Sequence, residues 1–304
     1  MSGQLVERAT APGAAQSGNI YDLGYQHYVG PRLGRAAVVR ALFVESLRSC
    51  WGLGRPTRAK IVPLGLLGIA LLPAAFAVAF ESMAGGVVRS PITFDDYFSS
   101  IVQILILFVA AQAPELVGRD QRAHVLALYF SRPLARLSYA AAKLGALVGS
   151  LLVLTLSPQA VIFAGKVLMG KDLVAAFEAN VEKIPPILLT SVAAAVVMGS
   201  IALAVGSYTP RRAYATAAIF AIFYITLAGA GVAAEIGATG ATKYVALASP
   251  TLALEGFTAW SFDVAPTGVL RRARLPDELF VLATTAMALA AVALLAVRYR
   301  RIQA

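Results

Sequence analysis

Cysteine, histidine and charge are all scarce in this chain. Its 304 residues include one cysteine, Cys50, and two histidines, His27 and His124. A lone cysteine excludes an internal disulfide, and no Cys-x-x-Cys, His-x-x-x-His or paired-carboxylate spacing is present to hold a metal. Charged residues make up 14% of the chain and apolar ones 59%, a balance that excludes an ordinary soluble domain.

What the chain has instead is long runs without charge: 61–80, 97–114, 144–165, 184–210, 213–234 and 279–297. Each reaches about 18 residues or more, the length an α-helix needs to cross the hydrocarbon of a bilayer. Runs this long, rich in Ala, Leu and Val, fit helices and not barrel strands, which alternate in segments of about ten residues. The prediction is an all-α membrane protein with six transmembrane helices. The first run starts only at Ile61, behind a long polar lead, which argues against a cleavable signal peptide.

Orientation follows from Lys and Arg, which are in excess in cytoplasmic loops. With both termini inside, 18 of the 26 basic residues fall on the inner side, in 1–60, 115–143, 208–212 and 298–304. Arg271, Arg272 and Arg274 fall in the last outer loop and run against this trend. The predicted location is the cell membrane, multi-pass, with both termini cytoplasmic. The net charge of +10 then reflects this bias and attraction to anionic membrane lipid, and no nucleic-acid partner is expected.

Residues 1–34 are rich in Gly, Ala, Ser and polar groups and read as a polar cytoplasmic tail without a core. From Arg35 to Trp51 the pattern becomes helical: Val39, Leu42, Phe43, Leu47 and Cys50 recur at three- and four-residue steps, with Arg40 and Arg48 on the other side. That predicts an N-terminal amphipathic helix lying in the interface, serving either as a plain anchor or also as a contact for a cytoplasmic partner. Trp51 reads as an interface anchor. In the outer loop 235–278, the uncharged piece 244–254 is too short to span, and reads as re-entrant or as a surface cap.

Chemistry inside the membrane is not evident. The six runs hold no Asp, Glu, His or Lys, the groups an intramembrane enzyme or ion-coupled transporter places there. Catalytic residues are therefore assigned to none. "GKVLMGKD", Gly165 to Asp172, has the spacing of a phosphate-binding loop, but it follows a membrane run and not a strand, and Asp172 stands where a Ser or Thr binds magnesium. The chain is not expected to hydrolyse ATP by itself.

The chemically dense segment is "RDQRAHVLALYFSRPLARLSYAAAK", 119–143, between the second and third runs. Arg119, Arg122, Leu126, Tyr129 and Phe130 recur at helical steps, and "SRP" restarts the chain, with Ser131 or Arg132 as cap and Pro133 in the next first turn. This predicts a short cytoplasmic helix between spans two and three. It reads either as a hairpin whose arginines snorkel to headgroups or as a partner surface with an exposed aromatic patch.

This segment resembles the loop after the second span in the permease subunits of type-2 ATP-binding-cassette exporters, where "SRP", an Arg and a closing Lys recur. The six-span layout, the N-terminal helix, "YTPRRAYA" at 208–215 and "ASP" before the last span fit the same resemblance, which covers about 35–301. It implies that 35–304 is a permease domain and that the partners are a separate ABC ATPase subunit and a second permease subunit, alike or different. ATP and magnesium would sit on the ATPase subunit, with no cofactor in this chain. Carried over onto this sequence, Arg119, Asp120, Arg122, Leu126, Tyr129 and Phe130 form the coupling helix, and Arg132 and Pro133 its exit. The alternatives from the residues alone are a channel or assembly factor without an ATPase and, third, an intramembrane enzyme.

Overall fold

The computed structural model describes Gly30 and residues 34–83, 92–131, 134–237 and 240–301. The predicted tail 1–34 lies outside these residues apart from Gly30 and Gly34. Among the described residues there is no strand, and six helices are long and apolar enough to cross a membrane: α2 (Arg58–Met83), α3 (Asp96–Arg122), α5 (Arg136–Leu168), α7 (Ile184–Tyr208), α8 (Arg212–Glu235) and α11 (Asp277–Arg301). The protein is a multi-pass membrane protein. Shorter helices are α1 (Arg35–Cys50), α4 (Leu126–Phe130), α6 (Leu173–Val181), α9 (Pro250–Phe262) and α10 (Gly268–Ala273), with a 3₁₀ helix over Gly240–Ala248.

Each spanning helix contains or nearly matches one charge-free run, but α3 and α5 extend well past theirs. Charge limits what hydrocarbon accepts, not what a helix accepts. Glu115 to Arg122 consists largely of good helix formers, so α3 continues into them. Proline is likewise tolerated, at Pro63 and Pro73 in α2, Pro114 in α3 and Pro158 in α5, because packing against neighbouring helices re-satisfies the freed backbone groups.

We call the end at which α2 begins proximal and the other end distal. α3 and α7 form the centre, mostly buried, while α2, α8 and α11 turn most of their surface outward. Close approach depends on small residues. A Cβ on Gly206 of α7 would lie 3.4 Å from the Ala113 carbonyl oxygen of α3. Gly145 and Gly149 of α5, four residues apart, make room for Phe43 and Leu47 of α1; a Cβ on Gly145 would meet the Phe43 ring at 3.4 Å. α1 thus seats Leu42, Ser46 and Cys50 against the bundle.

At the distal end the chain between α8 and α11 folds into the bundle. The piece 244–254 is not one unit: 244–248 ends the 3₁₀ helix and 250–254 opens α9, where Leu252, Ala253 and Leu254 are buried. Thr284 of α11 donates to the Ala253 carbonyl at 3.1 Å, and the fully buried Phe280 ring lies over Gly256, where a Cβ would come within 2.3 Å of it. Asp172 caps α6 by accepting from Val174 N at 2.9 Å. Gly165 to Leu168 are the last turn of α5, so "GKVLMGKD" is a helix end, a turn and a cap, without the strand a phosphate loop follows.

Candidate functional site

The proximal end gathers nearly all the ionic contacts of α3. Glu115, the first charge after the apolar stretch of α3, faces Arg55 at 3.1 Å and Arg122 and Arg212 at 3.9 Å each. One carboxylate thereby ties together the turn between α1 and α2, the end of α3 and the start of α8. One turn further on, Asp120 accepts from the Tyr139 hydroxyl at 2.6 Å and pairs with Lys143 at 2.9 Å, both on α5. The Asp120 and Lys143 side chains are 13% and 8% exposed, so this pair is desolvated, unlike the wetter contacts of Glu115.

Backbone carbonyls freed at the end of α7 complete the arrangement. Gln121 donates to the Ser207 carbonyl at 2.9 Å, Arg298 of α11 donates to the same oxygen at 3.2 Å, and Arg122 donates to the Pro210 carbonyl at 2.8 Å. Ser207 is among the last four residues of α7, whose C=O groups have no intrahelical partner, and Pro210 lies in the turn just after the helix.

The predicted short helix over Arg119 to Phe130 is divided. Arg119, Asp120 and Arg122 belong to α3, which has no stop signal until the chain turns at Ala123 and His124, the latter in the left-handed region at φ 51. Only Leu126 to Phe130 form the separate helix α4. Five residues do not hold a helix by themselves, so α4 depends on packing. Tyr129 and Phe130 lie 5.6 and 6.0 Å from the Tyr139 ring, Tyr139 lies 5.4 Å from Tyr299 of α11, and the Arg136 guanidinium sits 5.8 Å from the centre of the Phe130 ring.

The aromatic patch is therefore covered in good part by the chain's own α5, and Tyr129 and Phe130 are half-buried. Burial pushes the Tyr129 hydroxyl above its ordinary pKa, and the nearby Asp120 charge pushes it the same way. The large side chain that α4 turns outward is Leu128, 68% exposed, beside Ala127 and His124; Arg119 and Arg122 are exposed, while Asp120 is turned inward. Arg132 and Pro133 lie outside the described residues. A cavity of about 280 Å³ under Arg119 and Tyr129 is bounded by α1, α3 and α5.

The sequence matches no protein-family model and no curated protein.

Two pairings escaped the sequence reading. Glu115 entered there only as the charge that ends an apolar run, and Lys143 only as a run border and the closing Lys of 119–143, yet charges that follow one span and precede the next, antiparallel one lie at similar depth. That shared depth is the signal for the Asp120–Lys143 pair. Leu128 carried no signal, because which face of a five-residue helix turns outward depends on what covers the other.

Proposed function

We propose that the chain is the transmembrane permease subunit of an ATP-binding-cassette exporter, set in the cell membrane with both termini cytoplasmic and α1 lying in the interface. It pairs with a second permease subunit and receives a separate ATPase subunit on its proximal end, with α4 as the coupling helix. ATP and magnesium belong to the ATPase subunit.

The observation that supports this reading is the break at Ala123 and His124 followed by α4, which presents Leu128 outward while Tyr129 and Phe130 stack on Tyr139 of α5. It falls in the segment that resembles the exporter loop. A push on α4 is passed to α5 through the rings and to α3 through the Asp120–Lys143 pair, moving packed helices as rigid bodies.

The test is recovery of the ATPase subunit with the tagged permease from membranes. Leu128→Asp alters an exposed side chain without touching the packing beneath it, and loss of about 1.5–3 kcal/mol of apolar burial lowers binding by roughly ten- to a hundredfold. Equal recovery with wild type and Leu128→Asp, at equal membrane levels, removes the coupling-helix assignment.

A further inference from the structure

A second groove, away from the ion-paired site, runs between α1 and α5. Val39, Phe43, Ala141 and Ala142 form its floor, Arg35 and Arg40 its rim, its volume is about 770 Å³, and among the described residues no carboxylate lines it. Arg35 donates to Ser138 Oγ of α5 at 2.7 Å. Arg40 is exposed and takes part in no ion pair among the described residues.

The depth of the groove follows from the length of α5. Its 33 residues extend roughly 50 Å at 1.5 Å per residue, against a hydrocarbon core of about 30 Å. The first turns of α5, which carry Ala141 and Ala142, therefore stand at headgroup level, next to Lys143, whose charge is taken up by Asp120. At that level an apolar floor beneath two cations fits a lipid with a negative headgroup, and a lining whose described residues include no acid offers a zwitterionic choline headgroup no partner there for its cation.

We propose that the α1–α5 groove binds one anionic phospholipid, its phosphate held by Arg35 and Arg40 and the upper part of an acyl chain resting on Val39, Phe43 and the two alanines. The site fixes the angle of α1 against α5. It rests on the placement of the chain in a membrane and not on an ATPase partner.

Native mass spectrometry of the purified full chain from micelles containing equal phosphatidylglycerol and phosphatidylcholine tests this. The wild type is expected to retain phosphatidylglycerol over phosphatidylcholine by roughly ten- to thirtyfold, the preference two interfacial cations confer. Arg35→Gln with Arg40→Gln abolishes the preference. Ala141→Trp, at an exposed position, fills the floor while keeping both arginines, and is expected to lower phosphatidylglycerol retention as well. A midpoint of thermal unfolding raised by added phosphatidylglycerol in wild type, and not in the double variant, gives a second reading independent of mass. Equal retention of the two lipids by wild type, a preference that survives the double substitution, or a lipid-free dimer in place of the lipid adduct would each overturn the proposal, the last in favour of a second copy on this face.

Discussion

Lys143 Nζ lies 2.9 Å from Asp120 Oδ2, joining α5 to α3 from two largely buried side chains. Removing one partner leaves the other charge buried and uncompensated, which costs about 3–5 kcal/mol, whereas removing both leaves apolar neighbours in contact. Lys143→Met is therefore expected to lower the unfolding midpoint in detergent sharply, and Lys143→Met with Asp120→Leu to lower it less. A double variant as unstable as the sum of the single ones contradicts a paired, desolvated contact.

At the distal end Gly256 is the only residue type that fits under Phe280, since a Cβ there would come within 2.3 Å of a fully buried ring. Gly256→Ala should destabilise by about 1–3 kcal/mol through overpacking, and Phe280→Leu should recover part of the loss when combined with it. Unfolding midpoints of the three variants check this; a neutral Gly256→Ala sinks it.

Cys50 is fully buried on α1, and burial raises its thiol from an ordinary 9.0 to about 11, against smaller opposing effects from Ser150, Lys143 and Arg55. The native thiol should resist a maleimide dye and react only as the chain unfolds, so its labelling tracks the unfolding transition. The sign of the pH effect follows from linkage: between about pH 9 and 11 the unfolded chain carries the thiolate and the folded chain the thiol. Stability from this group is thus complete below pH 9 and falls as pH rises through 11. Prompt labelling of the folded chain at pH 7 is the contrary result.

Leu128 and Lys171 are exposed at opposite ends of the bundle. With Cys50 shielded, Leu128→Cys should be silent and Lys171→Cys labelled when intact cells meet an impermeant thiol reagent. The reverse pattern inverts the proposed orientation.

Purified by itself, the chain should turn over no ATP, because Gly165 to Asp172 form a helix end, a turn and a cap. Phosphate release above background that disappears with Lys171→Ala shows the opposite.

The sequence by itself determined the spans. Hydrocarbon accepts no uncompensated charge, so a run such as 213–234 between Arg212 and Glu235 had to appear as a spanning helix, and α8 ends at those two residues. It also determined that α1 is a separate helix, since the step from Val39 to Cys50 repeats at helical spacing. The contents of the proximal end were decided by tertiary structure alone. Nothing local stops α3 at Glu115, so Arg119 to Arg122 joined a spanning helix, and only the turn at His124 released α4. Whether Tyr129 and Phe130 wait for a partner or lie on Tyr139, whether Asp120 faces water or Lys143, and which side of α4 is left outward in Leu128 depend on residues up to 170 positions away, at Tyr299 of α11. Spanning is imposed by the solvent, residue by residue, and can be read one segment at a time; pairing is imposed by neighbours, and exists only once the helices have been brought together.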